Sequence, residues 1–202
     1  MGLTEEQIET NYKNFIDLVK TNVTRQGVDA LLDWLDHSDV KSAPASTKFH
    51  LSTKGGLVLH SLNVYHRLKE LLALEQDTTY TEESVVLVAL FHDISKINFY
   101  EIQERNTTDS NGNWIKVPFY QVKENKFIYG SHPQNSAYML SKFIDISFEE
   151  SLAILQHEGS FEAYGNPALT ATTTEAFKKS RLALLLHQAD LYATCAMEGI
   201  DE

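Results

Sequence analysis

The stretch LVALFHDISKINFY, residues 87–100, carries an apolar run directly into a histidine, a carboxylate and a lysine. Thr81, followed by two glutamates, marks the start of the helix that ends here. His92 lies on the same helical face as Val85 and Val88, so the pattern predicts a core-facing imidazole at the end of an apolar stripe. This stretch alone is compatible both with a hydrogen-bonded core histidine and with a functional one. The polar residues of the other predicted helices are needed to distinguish the two.

The composition is that of a globular protein with an acidic surface. The chain has 202 residues, 43% of them hydrophobic, which predicts one domain over residues 1–202 with a sizeable core. Its net charge is −11. No apolar run is long enough for a membrane span, and the acidic start argues against a secretory signal. The acidic charge disfavours a long nucleic-acid partner. The lone Cys195 excludes a disulfide framework, so we expect a cytoplasmic protein.

Helix caps and apolar spacing predict a mostly helical fold. Residues Thr4 to Gln7 form a capping box, and N-terminal helices are expected over residues 4–37. A polar segment then interrupts the pattern, and the next helix is entered through Gly55 and Gly56.

Residues 99–130 change from helical to strand-forming character. Two β-prone segments flank the turn signal Asn111-Gly112, so we predict a small β-hairpin insertion in a core of residues 42–195. The remaining predicted elements are a helix from near His132, a helix from Ser147 through His157, a loop over residues 158–170 and a last helix from about Thr173 to Cys195.

Core-facing imidazoles and carboxylates occur on three of the predicted helices. His60 and Asp190 each lie on the apolar face of their helix. A buried carboxylate needs a partner, which an ordinary hydrogen bond between helices could supply. With His92 and Asp93, however, these side chains provide what a metal ion in a helical bundle needs. Two further histidines are predicted at helix ends beside glycines, where a ligand can approach closely: His132 and His157.

Five blocks of the sequence resemble the HD superfamily of metal-dependent phosphohydrolases. They are PASTKFHLSTKGGLVLHSLNVY at 44–65, LFHDISK at 90–96, YGSH at 129–132, LQHEG at 155–159 and HQADLYAT at 187–194. The first block is similar to the segment that precedes the first metal histidine in the exoribonuclease-like branch of that superfamily. The resemblance covers about residues 42–195 and implies an HD-domain helical bundle, with the hydrolase domain only.

The resemblance also implies a metal centre of one or two divalent ions. One ion would be held by His60, His92, Asp93 and Asp190, and a second by His132 and His157, with Asp93 bridging. Imidazole and carboxylate ligands suit Mn, Fe, Co, Ni or Mg. The chain departs from the branch at Phe49-His50 and His157-Glu158, where paired histidines are common, and it has no counterpart of the branch's separate nucleic-acid-binding module.

Asp93 and Lys96 are the candidate catalytic residues. Asp93 is expected to bridge the ions, and Lys96, four residues after His92, could stabilise phosphate charge. The alternative for Lys96 is a solvated cation that the helix dipole favours at a helix C-terminus.

Residues before the His60 helix and within the last helix complete the candidate site. His50, Lys54 and Lys96 are expected to bind substrate, although His50 could also be a surface histidine. His187 lies three residues before Asp190 and could orient that carboxylate, or could simply pack.

The predicted function is hydrolysis of a nucleotide or other small phosphate mono- or diester through a metal-activated water. The alternatives are an HD-fold di-iron oxygenase and a metal- or nucleotide-binding module without turnover. The hairpin would edge the pocket, and three aromatic residues in it are candidates for stacking on a base or for packing: Trp114, Tyr120 and Tyr129.

Overall fold

The computed structural model describes residues 2–124, 130–161 and 166–198. Within these ranges the fold is a bundle of α-helices with one two-stranded antiparallel hairpin, as the sequence predicts. The helices are α1 (Glu5–Asn22), α2 (Val28–Asp36), α3 (Gly56–Leu74), α4 (Glu82–Phe91), α5 (His132–Ser141), α6 (Phe148–Gln156), α7 (Pro167–Lys179) and α8 (Arg181–Tyr192); the strands are β1 (Tyr100–Thr108) and β2 (Trp114–Val122).

Helix α4 lies at the centre of the bundle because its sequence is apolar on every side. All residues from Val85 to Phe91 are buried, which is what a helix without a polar face requires. Helix α3 packs against both α4 and α8, and α6 packs against α4 and α8. Helices α3 and α6 therefore pack on α4 and are bridged by α8, and polar residues of α3 and α8 and from the end of α4 extend into the interior space between these helices.

The end of α4 turns the chain sharply beside this interior. Thr81 caps the helix start by accepting a hydrogen bond from the Ser84 backbone. His92 is the C-terminal cap, and Asp93 leaves helical geometry with φ −111° and ψ 19° before a short 3₁₀ turn over Ile94–Lys96. This turn places consecutive polar side chains at the end of an apolar helix, and both His92 and Asp93 are buried.

The hairpin is confirmed at the predicted place. Strand β1 pairs with β2 with Tyr100 opposite Val122 and Thr108 opposite Trp114. Asp109 accepts backbone hydrogen bonds from Asn111 and Asn113 and so closes the turn. The hairpin begins four residues after Lys96, so its base lies beside the end of α4. Tyr129, one of the aromatics expected to edge the pocket, lies outside the described residues.

The predicted single last helix is wrong, because the chain breaks at Ser180. This residue is extended, with φ −123° and ψ 113°, and its side chain accepts a hydrogen bond from the Ala183 backbone. Its hydroxyl also donates to Glu149 of α6 at 3.0 Å. A serine that caps one helix and bonds another favours a break over a continuous helix.

Two further boundaries of this region differ from the prediction. The expected loop over residues 158–170 contains a 3₁₀ turn at Gly159–Phe161 and the start of α7 at Pro167. Asn166 caps α7 by accepting hydrogen bonds from two backbone amides, and proline suits the first helical position. At its other end, α8 passes into a π-helical turn at Ala193–Met197.

No described helix is long and apolar enough to cross a membrane.

Candidate metal centre

His60 enters the bundle interior from the second turn of α3 and is completely buried. The helix can start so close to the preceding loop because Gly56 has no side chain; a Cβ there would lie 2.1 Å from the Leu51 carbonyl oxygen. The same close approach brings the ring of His50 to 5.0 Å from the ring of His60, centre to centre.

The first group of potential ligands comes from α3, α4 and α8. The Nε2 atom of His60 lies 3.2 Å from Nε2 of His92 and 3.2 Å from Oδ1 of Asp190. The three side chains offer ligand atoms that all lie within 4.8 Å of one another. Three residues separated by up to 130 positions in the chain thus converge on one point.

The second group comes from the start of α5 and the end of α6. The Nε2 atom of His132 lies 3.3 Å from Nε2 of His157 and 3.1 Å from Oε1 of Glu158. His157 is buried and the other two side chains are partly exposed. Solvent therefore reaches the second group more readily than the first, in which Asp190 alone is partly exposed.

Asp93 stands between the two groups, with one carboxylate oxygen directed to each. Its Oδ2 lies 3.5 Å from Nε2 of His92 and 3.8 Å from Nε2 of His60. Its Oδ1 lies 3.3 Å from Nε2 of His132 and 3.7 Å from Nε2 of His157. A single carboxylate that faces two histidine groups has the arrangement of a bridging ligand.

Backbone hydrogen bonds orient two of these imidazoles with Nε2 toward the centre. The Nδ1 atom of His92 lies 2.9 Å from the Ala89 carbonyl oxygen, and Nδ1 of His157 lies 2.7 Å from that of Ile154. A carbonyl can only accept, so Nδ1 carries the proton and the Nε2 lone pair faces inward in each neutral ring. This is the tautomer that a metal ligand needs.

Electrostatics keep the carboxylates charged and His157 neutral. Burial favours the neutral form of Asp93, but Lys96 and His92 outweigh it and hold the pKa of that carboxyl well below its usual range. Burial, together with the neighbouring His92, lowers the pKa of His157 to about 4. At neutral pH the interior therefore presents carboxylates and an unprotonated imidazole.

His60 differs because carboxylates contact both of its ring nitrogens. Burial lowers its pKa, yet hydrogen bonds with Asp190 at Nε2 and Glu198 at Nδ1 outweigh burial and raise the pKa to about 10. The same contact lowers the pKa of Asp190 despite the burial of that carboxyl. A metal ion at Nε2 would therefore take the place of a proton.

The residues present fit divalent ions in three respects. Side-chain atoms that share one ion at about 2.1 Å lie about 3 to 3.5 Å apart, and the shortest contacts in both groups are of this length. Oδ1 of Asp93 is buried and accepts no hydrogen bond from the described residues. Four carboxylates of the described chain converge here and only one lysine ammonium, that of Lys96, is bound to them, so the centre has excess negative charge. The four are Asp93, Asp190, Glu158 and Glu198.

Lys96 and His50 lie beside these ligands. The Nζ atom of Lys96 donates to Oδ2 of Asp93 at 2.6 Å, and that ion pair raises the pKa of the largely buried lysine against the effect of burial. The Nε2 atom of His50 is buried and has no hydrogen-bond partner among the described residues.

Lys54 and His187 each contact another part of the protein. The Nζ atom of Lys54 donates to Glu5 of α1 at 2.7 Å, at the surface. Nδ1 of His187 contacts the His157 carbonyl oxygen at 2.7 Å, where the sequence allows His187 either to orient Asp190 or to pack. Gly159 permits this contact, since a Cβ there would lie 2.5 Å from the imidazole of His187.

The aromatic residues of the hairpin differ in exposure. Trp114 is 77% exposed at the distal end of the hairpin. Tyr120 is partly buried. Tyr100, which was not singled out from the sequence, lies at the base of the hairpin, and burial raises its pKa against the opposing effect of nearby Lys96.

Two carboxylates near the centre, Glu158 and Glu198, were not predicted as site residues. Glu158 directly follows His157 where that histidine ends a helix, so its sequence position carried a usable signal. Glu198 carried none, because it lies beyond the predicted end of the last helix and is eight residues from Asp190, a spacing that does not return to the same face of an α-helix.

A family model described as HD domain matches residues 57–195, a range that contains all six predicted metal ligands. Searches of curated proteins and of solved structures returned no match.

Proposed function

Because this chain belongs to the HD domain family, we propose that it is a metal-dependent phosphohydrolase acting on a nucleotide or another small phosphate mono- or diester. Members of the family are generally metal-dependent hydrolases. The observation that supports the proposal most directly is Asp93, whose two oxygens face two separate histidine groups.

We assign the ligands in two groups around Asp93. His60, His92 and Asp190 would hold one ion, and His132 and His157 the other. The divalent ions would be Mn, Fe, Co, Ni or Mg, given imidazole and carboxylate donors. Bound in this way, divalent ions activate a water for attack on phosphorus and neutralise charge on phosphoryl oxygens.

Lys96 and His50 are the residues of this chain proposed to contact the phosphate. Lys96 is held at the centre by its ion pair with Asp93, so its charge is fixed next to the ligands. His50 offers a buried ring nitrogen that has no partner among the described residues and can bond a substrate oxygen. Lys54 stays a proposed substrate-binding residue, and its surface ion pair with Glu5 is weak enough to be exchanged for a phosphate.

The hairpin supports a small substrate with an aromatic or apolar part. Tyr100 lies at its base and is a partly buried phenol close to Lys96 and Asp93. Tyr120 lies opposite Ile102 in the ladder, and Ile102 is two residues from Tyr100 on the same strand. Side chains opposite each other and side chains two apart share a face, so Tyr120 and Tyr100 lie on one face of the hairpin. Two tyrosines on one face of the hairpin, with Tyr100 close to the centre, suit stacking on a nucleobase, and we therefore favour a nucleotide.

The proposed setting is a reducing one, such as the cytoplasm. Cys195 is the only cysteine in the sequence, and it is exposed and unpaired. An exposed free thiol is better suited to a reducing compartment than to an oxidising one.

Metal analysis of the purified protein, followed by a substrate screen with Mn²⁺, tests the proposal. The screen contains mononucleotides, short oligonucleotides and a generic phosphodiester. We expect bound metal and release of phosphate or nucleoside by the wild type. His60→Ala should lose the ion that its own group holds, and with it the release of product. His66→Ala is the matched control, because His66 is an exposed histidine of the same helix α3.

Three results would contradict the proposal. Absence of bound metal would remove its basis. Iron together with a product that requires oxygen would indicate a di-iron oxygenase. Tight nucleotide binding without product would indicate a binding module.

A further inference from the structure

The carboxylate of Glu198, at the C-terminal end of the described chain, contacts His60 on the side of the ring that faces away from the other ligands. Both oxygens of Glu198 contact Nδ1 of His60, at 3.0 and 3.1 Å. The glutamate side chain is fully buried, and the Asn63 amide donates to its Oε1 at 3.1 Å. Burying a charged group is costly unless it is paired, so this position calls for an explanation.

The π-helical turn after α8 explains how Glu198 reaches His60. In an α-helix, residues seven apart differ in direction by about 20°, whereas residues eight apart differ by about 80°. Asp190 and Glu198 are eight apart, but the π turn at Ala193–Met197 accommodates one additional residue. Position 198 therefore occupies the place that position 197 would have in an unbroken helix, on the same face as Asp190.

Carboxylates at and just after the end of α8 consequently contact both ring nitrogens of His60. Asp190 contacts Nε2 of His60, on the side of the metal centre, and Glu198 contacts Nδ1, on the opposite side. A ring that donates from Nδ1 to a carboxylate has its Nε2 lone pair fixed toward a metal, and the carboxylate makes that nitrogen a stronger donor.

We propose that Glu198 is a positioning residue of the metal centre, which fixes the orientation and tautomer of His60 and strengthens its bond to the first ion. This inference rests on the proposed function, because it concerns the same centre. It assigns the π turn a role in metal affinity, in keeping with the frequent occurrence of π turns at functional sites.

The alternative is a structural role, in which Glu198 only attaches the end of α8 to α3. A structural role predicts a loss of stability that leaves the affinity of the folded protein for metal unchanged. A positioning role predicts weaker binding of the ion at His60, with little change at His132 and His157, which Glu198 does not contact in the described structure.

Metal titration of the full chain separates the two roles. The chain is stripped with a chelator and titrated with Co²⁺ against a competing chelator, with visible absorption as a second readout of the coordination of the ion. Glu198→Gln should weaken the binding event that His60→Ala removes about ten- to a hundredfold and change the Co²⁺ spectrum. Asn63→Ala, which releases the glutamate but keeps its charge, should cause a smaller change in the same direction.

Glu149→Gln is the matched control. Glu149 also accepts two side-chain hydrogen bonds, from Tyr80 and Ser180, and it lies away from the centre. Thermal unfolding of each metal-free variant measures loss of stability separately. If Glu198→Gln does not fold, Asn63→Ala carries the comparison.

The failure of this inference is distinguishable from the failure of the proposed function. Wild-type affinity and an unchanged Co²⁺ spectrum in folded Glu198→Gln or Asn63→Ala would overturn the positioning role, even if the protein hydrolyses phosphate esters. A wild type that binds no Co²⁺ would overturn it as well. A wild type that binds metal but hydrolyses none of the compounds screened would contradict the proposed function, while weaker binding by Glu198→Gln would still support the inference.

Discussion

At the scale of single residues, the centre depends on Asp93. It is buried, and its two oxygens face different histidine groups, so no other described side chain duplicates its position. Burial makes its negative charge costly unless cations compensate it. In the structure Lys96 provides one such charge, and the remaining oxygen is directed at the second histidine group.

Asp93→Ala should abolish metal binding and hydrolysis together. Both groups lose an oxygen donor, so we expect affinity to fall by more than about a hundredfold, beyond the effect typical of residues that only support a ligand. Equilibrium dialysis with elemental analysis measures the metal content. Asp36→Asn, an exposed carboxylate of α2, is the control. Full metal content and activity in Asp93→Ala would refute the assignment of this site.

His132 and His157 should control a second ion without affecting the first. Both lie on the Oδ1 side of Asp93, whereas His60 and His92 lie on the Oδ2 side. The double variant His132→Ala/His157→Ala should keep about one metal per chain and lose much of its rate. Glu158→Gln should weaken the same ion less, because its carboxylate is partly exposed. A wild type that binds one metal at saturation would exclude this arrangement.

At the scale of elements, one arginine connects the loop between α1 and α2 to the starts of two other helices. Arg25, between α1 and α2, donates to Glu83 at the start of α4 and makes two bonds of 2.7 Å to Glu150 at the start of α6. Glu150 is 1% exposed. The starts of α4 and α6 determine where His92 and His157 end those helices, so this ion pair supports the centre from the opposite end.

Glu150→Gln should destabilise the fold by about 3 kcal/mol, the lower end of the range for breaking a buried ion pair, since Arg25 is partly exposed. Burial of Glu150 opposes ionisation, but hydrogen bonds from Arg25 and Ser84 lower its pKa from 4.5 to about 2. The stabilisation is therefore complete above pH 4.5 and lost as pH falls toward 2. Urea unfolding at several pH values measures it.

The difference between wild type and Glu150→Gln should shrink across this acidic range. A difference that stays constant down to the lowest pH at which both remain folded would show that packing, and not charge, causes the destabilisation. Glu175→Gln is the control, because Glu175 is exposed and its salt bridge with Lys178 lies at the surface.

At the scale of the whole molecule, the acidic charge should limit which phosphates can reach the centre. The net charge is −11, so the outer field repels a long polyanion. Lys96 is bound at the centre, and Lys54 is neutralised by Glu5 at the surface. Neither belongs to a continuous basic track of the kind that follows a nucleic-acid backbone.

Small nucleotides or short phosphodiesters should accordingly be turned over better than long RNA or duplex DNA. A competition at moderate salt between a mononucleotide, a short oligonucleotide and a long single strand measures this preference. Raising the salt should improve the relative use of the long strand, because screening reduces the repulsion. A clear preference for the long strand at moderate salt, counted per phosphodiester end, would place the protein among nucleases.

Local sequence signals determined most of the helices and the hairpin. Thr81 and the two glutamates after it start α4, and the uninterrupted apolar run buries it, because a helix without a polar face has to lie inside. The HD superfamily resemblance is confirmed by the family match; its exoribonuclease-like branch stays a prediction. The helix break at Ser180 was missed, since the hydrogen bond from that hydroxyl to Glu149 joins residues 31 positions apart.

The geometry of the centre was decided by the tertiary structure. The sequence supplied the imidazoles and carboxylates, and their helical faces indicated that several are buried. Which oxygen of Asp93 faces which histidine depends on how α3, α4, α5, α6 and α8 pack. Glu198 joins His60 only because a π turn shifts the helical register and because helices distant in sequence meet. Periodicity describes one helix at a time, whereas a site shared by several helices depends on their packing.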